Sequence, residues 1–183
     1  MTYDVAVLIG SLRKESLTRQ LVVTLQGIAP PGLRLRVVEI GDLPLFNADH
    51  EASPPQQVTA FKQSIEKADA VLFATPEYNR SVPGVLKNAI DAGSRPYGKS
   101  SWNGKPAAVI SVSQGVLSGF GANHHLRQSL VFLNMPVLQQ PEAYIAQVQT
   151  VLDGKGGFVK PETKTFLQNF LTAFEGWIGK VRA

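Results

Sequence analysis

Cysteine is absent from this chain of 183 residues. Its absence excludes disulfide bonds, thiolate metal ligands and the cysteine nucleophile of one class of phosphatases. Long apolar runs are missing too, because none approaches the roughly 18 residues that a membrane-spanning helix needs. The N-terminus has no basic segment followed by an apolar signal core. We therefore expect a cytoplasmic protein without a membrane partner.

Histidine is scarce, with three residues in the whole chain. His124 and His125 are adjacent, so on a helix they would point to different faces and make a poor metal pair. His50 stands alone elsewhere. We expect no metal site.

An excess of charge is also missing, since the net charge is only +4 and the basic residues are spread along the sequence. No aromatic-basic repeat or nucleic-acid motif accompanies them, which favours a solvated surface or a site for anionic substrates over nucleic-acid binding. The length and the 44% hydrophobic content predict one domain, residues 1–183, with a full core.

Strand-like and helix-like segments alternate along the chain. Apolar runs predict strands at residues 3–9, 33–40, 70–75, 106–113 and 136–138, the last resuming near Tyr144. Helical spacing occupies residues 16–27, 53–67, 82–92, the segment from the glycine-rich turn 114–121 to 133, and 163–181. Alternation of this kind predicts an α/β fold with a five-stranded parallel sheet and helices on both faces. Right-handed crossovers favour the doubly wound order 2-1-3-4-5, which opens a crevice between strands one and three.

The first predicted strand leads into a loop suited to an anion. Residues 10–18 read Gly-Ser-Leu-Arg-Lys-Glu-Ser-Leu-Thr. The glycine permits close backbone approach, and the next helix directs its free N–H groups and the positive end of its dipole into that space. Hydroxyl groups and one guanidinium add further donors. The loop predicts a site for a phosphate monoester, although residues 10–11 alone are also compatible with an ordinary turn.

Two more unusual loops follow strands three and four. Residues 75–84 carry two prolines, an asparagine and a glycine, which hold a fixed, non-helical path and expose backbone donors and acceptors. Such an edge suits a flat heteroaromatic ring, although a plain turn is the alternative. Residues 113–121 are rich in glycine, which permits close approach to a ligand. Parallel strands bring all three loops to one edge.

The motifs in these loops resemble those of the NAD(P)H-dependent FMN reductases, the group that includes quinone- and chromate-reducing flavoproteins. The similar segments are Leu-Ile-Gly-Ser-Leu-Arg-Lys-x-Ser, Thr-Pro-Glu-Tyr-Asn-x-Ser-x-Pro-Gly-x-x-Lys-Asn-Ala-Ile-Asp and Leu126-Arg127-Gln128. Residues 95–110 are similar to the ferric-reductase B type of NAD(P)H:acceptor oxidoreductase. The resemblance covers essentially the whole chain and implies a flavodoxin-like fold.

The resemblance also implies roles for individual residues. The FMN phosphate would be held by Ser11, Arg13, Ser16, Leu17 and Thr18. The isoalloxazine ring would be lined by Pro76, Glu77, Tyr78, Asn79, Arg80 and Ser81, with Ser113, Gly115 and Val116 on the other side. No side-chain acid or base is required; Arg80 and Arg95 are candidates for steering anionic groups or stabilising a reduced acceptor, with solvated surface arginines as the alternative.

The implied activity is hydride transfer from NADH or NADPH through FMN to small-molecule acceptors by a ping-pong mechanism. Quinones, chromate, ferric chelates, azo dyes and nitroaromatics are plausible acceptors. Family members are dimers or tetramers, and the chain departs from the residues used between dimers at Gly121 and His124, which favours the homodimer. Further departures are Thr18, where asparagine is frequent, and Ala92, where tryptophan is usual.

Two other functions remain open from the sequence. A flavodoxin-like electron carrier would bind FMN without using nicotinamide, but such carriers are typically acidic and this chain is basic. A binding or regulatory module on the same fold would not take up flavin.

Overall fold

A computed structural model describes residues 2–183 and contains an α/β fold with one five-stranded sheet. The strands are β1 (Tyr3–Ile9), β2 (Leu33–Val38), β3 (Ala70–Thr75), β4 (Ala107–Val112) and β5 (Ala143–Ile145). The helices are α1 (Leu17–Ile28), α2 (Gln56–Lys67), α3 (Gly84–Ser94), α4 (Phe120–Phe132) and α5 (Pro161–Arg182). Short 3₁₀ helices occupy Ala48–His50 and Val148–Thr150.

The sheet is parallel throughout and has the order β2-β1-β3-β4-β5. This confirms the order predicted from the sequence, with the edge strand β2 beside β1. Arg34 and Arg36 on β2 both pair with Asp4 at the start of β1, at 3.1 and 2.9 Å. Because all five strands are parallel, the loops that follow them gather at one edge of the sheet, at the carboxyl ends of the strands.

Two hydrophobic cores cover the two faces of the sheet. One packs α1 and α5 against alternate strand residues such as Val5 and Leu72. The other packs α2, α3 and α4 against the intervening residues, including Phe73. The six residues of β3 are all buried, as expected for a central strand covered on both faces. No helix within residues 2–183 has the length and apolar character to cross a membrane.

Strand β5 is shorter than the fifth strand predicted from the sequence, and it begins later in the chain. Residues 136–138 contribute only a bridge between Val137 and Ala107, and the ladder with β4 begins at Ala143. Pro141 stands between the two segments and has no N–H to donate to a ladder. The apolar run at 136–138 is therefore a flanking contact of β4 rather than the opening of β5.

The closing helix buries a slightly different face from the aromatic stripe expected at 166, 170, 174 and 177. Phe170 and Phe174 are fully buried, together with Leu167 and Leu171. Phe166 is 36% exposed, because the core-facing positions 167, 170, 171 and 174 place it at the margin of the buried face.

Candidate functional site

The loops after β1 and β3 are in contact at the carboxyl edge of the sheet. The Gly10 N–H donates to the Ala74 carbonyl at 2.8 Å. A Cβ at Gly10 would lie 3.2 Å from Pro76 Cδ and from Leu86 Cδ2. Glycine is therefore what lets the two loops approach each other, and the convergence expected from the topology is confirmed.

Ser16 organises the N-terminus of α1. It is the N-cap residue, and its buried hydroxyl oxygen accepts a hydrogen bond from the Arg19 N–H at 3.2 Å. The first intrahelical bond runs from the Gln20 N–H to the Ser16 carbonyl. The N–H groups of Leu17 and Thr18 precede that bond, so they point along the helix axis as donors. The Ser16 hydroxyl hydrogen remains free to donate to an anion.

Two arginines lie near this helix terminus, and only one of them pairs with a carboxylate. Arg19 binds Glu39 through two hydrogen bonds of 2.8 and 2.7 Å, and this interaction holds the pKa of Glu39 below its usual value. Arg13 makes no ion pair within the part of the chain that the structure describes, and its side chain borders the crevice. Arg13 therefore contributes a positive charge beside the helix terminus that no carboxylate of the described chain compensates.

The loop after β3 forms a tight turn rather than an irregular segment. Tyr78 and Ser81 exchange two backbone hydrogen bonds of 3.1 and 3.0 Å. The two residues between them, Asn79 and Arg80, both have positive φ, 51° and 64°. Positive φ at both central positions is the feature of a type I′ hairpin turn. The turn presents Tyr78 to the crevice with its ring about half exposed.

The loop after β4 is held by a chain of buried polar groups. The Arg127 Nε donates to Asn123 Oδ1 at 2.9 Å, and the Asn123 amide donates to Ser111 Oγ at 3.3 Å. Ser111 in turn donates to the carbonyl of Ser118 at 2.8 Å. Asn123 and Ser111 are completely buried, so these hydrogen bonds fix the loop to β4 and α4.

The three loops enclose a cavity of about 250 Å³. The predicted residues that line it are Ser11, Arg13, Ser16, Leu17, Thr18, Pro76, Glu77, Tyr78 and Ser113. The predicted residues outside this lining are Asn79, Arg80, Ser81, Gly115, Val116 and Arg95. The N-terminus of α1 and its donors lie at one end of the cavity. The turn that carries Tyr78 lies beside the loops after β1 and β4.

Three lining residues were missed by sequence reasoning: Val112, Gln114 and Val148. Val112 and Gln114 flank the predicted Ser113. Val148 belongs to the connection after β5, where its N–H donates to the Ser113 carbonyl at 3.1 Å. The topology could have indicated Val148, because β5 is parallel to β4 and the loop after β5 therefore starts at the same edge of the sheet.

The two candidate arginines lie outside the cavity. Arg80 is on the turn, 3.5 Å from Glu77 through Nη1, and its side chain is 72% exposed. Arg95 follows the last residue of α3, at the opposite end of that helix from the loop after β3. The helix has 11 residues and so a length of about 16 Å. Within one chain the structure does not bring Arg95 to the crevice; it pairs with Glu51 at 2.6 Å beside a second cavity, between α2 and residues 44–55.

An aromatic cluster lies next to the first turn of α4. His124 Nε2 and the Tyr144 hydroxyl are 3.0 Å apart, and Phe120 packs on His124 with ring centroids 4.2 Å apart. Burial and a hydrogen bond to Glu142 raise the pKa of Tyr144 to about 12. His125 turns the other way, to Ser81 Oγ, as expected for adjacent helical residues. Residues 2–183 contain no group of three or more histidine, aspartate or glutamate side chains placed to hold a metal ion.

Comparisons with known proteins identify a matching family, similar sequences and a similar structure. Residues 3–150 match the family of the NADPH-dependent FMN reductases. A quinone reductase of Pseudomonas putida is 56% identical over 182 residues, 99% of this chain and 97% of the relative. A 2-hydroxy-1,4-benzoquinone reductase of a Burkholderia species is 42% identical over 97% of both chains. Among solved structures, the flavoenzyme NAD(P)H:acceptor oxidoreductase FerB of Paracoccus denitrificans superposes with a TM-score of 0.91 at 45% identity and covers 98% of both chains.

Proposed function

Since the chain belongs to the NADPH-dependent FMN reductase family, we propose that it binds FMN in the crevice and uses NADH or NADPH to reduce quinones and similar small acceptors. The observation that carries the proposal is the convergence of the three loops on one cavity, with the α1 terminus at one end. Enzyme class and cofactor follow from the family; the residues that bind FMN and the acceptor are the proposal.

The donor set at the α1 terminus fits a phosphate monoester. Ser16 caps the helix with its oxygen and keeps its hydrogen free, and the N–H groups of Leu17 and Thr18 point along the helix axis. Ser11 and Thr18 add buried hydroxyls, and Arg13 adds a charge that no carboxylate in the described chain neutralises. Together these groups give an anion both hydrogen bonds and charge compensation.

The other two loops fit a flat ring. Pro76 and Tyr78 supply a rigid apolar wall, and the backbone beyond them is fixed by the tight turn. Across the cavity, Ser113 and Gln114 stand on a loop that the Ser111 hydrogen bonds hold in place. When bound there, FMN supplies the redox chemistry, accepting hydride from the nicotinamide and passing electrons to the acceptor.

Exposed apolar residues in the loop after β4 and at the start of α4 suit planar acceptors. Val116 and Leu117 are 73% and 55% exposed, and Phe120 is 56% exposed. Quinones present flat apolar faces, so an exposed apolar surface of this kind suits them without a dedicated polar pocket. The names of the similar proteins from Pseudomonas and Burkholderia point to the same acceptor class.

We expect nicotinamide and acceptor to use the same open face in turn. Initial-velocity plots of NADH against a benzoquinone should then give parallel lines, the pattern of a ping-pong mechanism. An acceptor panel run with both NADH and NADPH identifies the preferred pair. Intersecting lines would contradict the shared face.

The alternative electron carrier predicts a different result in one anaerobic experiment. Purified protein loaded with FMN is mixed with NADH, and the yellow flavin absorption is followed. We expect it to bleach. Flavin that stays oxidised would favour the carrier, and protein that takes up no FMN would favour the binding module.

We further propose that the protein is a cytoplasmic homodimer. Support for an interface comes from Val131 and Phe132 at the end of α4, which are 75% and 86% exposed and form an apolar surface. Light scattering on the purified protein should give twice the 19.8 kDa chain mass. A monomer would contradict the proposal, and a Phe132→Ser variant should dissociate.

A further inference from the structure

We propose that Gly121 and Glu77 form a latch that fixes the turn at residues 78–81 on the first turn of α4. The latch, rather than contact between the Glu77 carboxylate and a substrate, sets where Tyr78 stands in the crevice. The functional part of this inference rests on the proposed placement of FMN beside Tyr78.

Gly121 is where the turn and the helix meet. A Cβ at this position would lie 2.7 Å from the Arg80 carbonyl oxygen and 2.9 Å from Glu77 Oε2. Real Cβ atoms do not approach backbone oxygens so closely, so any side chain at 121 displaces the turn. The contact with Arg80 is to the backbone, which cannot rotate away as a side-chain end can. Position 121 therefore requires glycine, because the turn and the helix are too close there for a side chain.

Glu77 closes the latch from the side of the turn. Its Oε2 accepts a hydrogen bond from the Ala122 N–H at 3.0 Å, and only 11% of its side chain is exposed. Gly119, the N-cap residue of α4, has no side chain with which to cap the helix. Glu77 therefore satisfies a free donor of α4 from a distant part of the sequence, and its negative charge lies at the positive end of the helix dipole.

The latch acts on the crevice through the turn itself. Residues 79 and 80 both have positive φ, so the turn is held in a conformation that is uncommon for residues other than glycine. Tyr78 immediately precedes them and lines the cavity. When the turn shifts on α4, the Tyr78 ring must shift relative to Ser113 and Gln114 across the cavity.

A Gly121→Ala variant tests the close approach. We expect kcat/KM to fall roughly 10-fold or more, because misplacement by about 1 Å costs on the order of 100-fold at a reacting centre. Gly176→Ala is the matched control, since Gly176 also lies in a helix and an added Cβ would meet nothing within 4 Å. Its kcat/KM should stay within about twofold of the parent protein. Equal kcat/KM for both variants would overturn the role of Gly121.

Glu77 separates the latch from a direct electrostatic role. Glu77→Gln keeps an oxygen that accepts from Ala122 but removes the charge, whereas Glu77→Ala removes both. The latch predicts a smaller loss of kcat/KM for Glu77→Gln than for Glu77→Ala, and a loss for Glu77→Ala similar to that for Gly121→Ala. Equal losses in both Glu77 variants would overturn the proposal in favour of a charge effect. This pair also decides the matter if Gly121→Ala fails to fold.

Hydrogen exchange distinguishes a failed latch from a failed FMN site. Peptides covering residues 76–82 should exchange faster in Glu77→Ala than in Glu77→Gln, both before and after FMN is added. Unchanged exchange in Glu77→Ala overturns the latch whatever FMN does. Faster exchange with unaltered FMN affinity and kcat/KM supports the contact with α4 but overturns the placement of Tyr78 at the ring.

Discussion

Replacing Arg13 with alanine should weaken FMN binding by about 1.5–3 kcal/mol, the range of a hydrogen bond to a charged group. That loss corresponds to a roughly 10- to 150-fold increase in Kd. Arg13 borders the cavity and has no carboxylate partner within residues 2–183, so its charge is available to the phosphate. Titration of the purified variant with FMN, followed by flavin fluorescence, measures the change.

Arg19 provides the matched control for this experiment. Arg19 lies in the first turn of α1, the helix that follows the loop with Arg13. Glu39 already neutralises the charge of Arg19 through two hydrogen bonds. Arg19→Ala leaves the backbone donors and Ser16 in place, so FMN affinity should change little. Arg13→Lys should retain part of the affinity, because it keeps the charge and loses the planar fork. Unchanged affinity in Arg13→Ala would show that the phosphate is held without this side chain.

The same comparison separates FMN from riboflavin. The guanidinium of Arg13 is expected to act on the phosphate alone, and riboflavin lacks that group. Arg13→Ala should therefore weaken FMN binding and leave riboflavin binding nearly unaltered. A similar loss for both ligands would place Arg13 at the ring or show that its removal disturbs the loop.

Topology was predictable because local patterns and general connection rules agree. The buried runs of β1, β3 and β4 and the helical spacings between them permit few arrangements once crossovers are right-handed. That topology then brings distant loops together without any knowledge of their contacts. The convergence of residues 10–18 with residues 75–84 follows from it, and the contact between Gly10 and Pro76 confirms it.

The contacts between loops could not be predicted from the sequence pattern. Nothing local shows that Glu77 caps α4 or that Gly121 contacts Arg80, because each depends on how two loops are placed in space. Arg95 is close to the motif in sequence, but within one chain the length of α3 separates it from the crevice. Periodicity also could not separate a flanking contact at 136–138 from a true fifth strand.

The largest effect on stability is expected at Trp102, which lies in the core beneath α3. The side chain is completely buried, packs against Phe61 and Phe73 with ring centroids 5.9 Å away, and donates from Nε1 to the Ile90 carbonyl at 2.9 Å. Helix α3 also approaches it closely, since a Cβ at Gly93 would lie 2.5 Å from the indole. Trp102→Ala should lower the free energy of unfolding by about 3–5 kcal/mol, through lost burial and the cavity left behind.

Urea unfolding measures this loss, and the other tryptophan supplies the control. Trp177 also donates from its indole to a carbonyl, that of Pro136 at 2.8 Å, but it is only partly buried. Trp177→Ala should therefore lower the free energy of unfolding less than Trp102→Ala does; an equal or greater loss would contradict the assignment of Trp102 as the central packing residue.

Trp102 does not line the crevice, so its replacement should leave the stabilisation by FMN unchanged. FMN at 100 times its Kd should add about 2.7 kcal/mol to the free energy of unfolding of both the parent and the Trp102→Ala protein. Unequal increments would show that packing beneath α3 and ligand binding at the sheet edge are coupled.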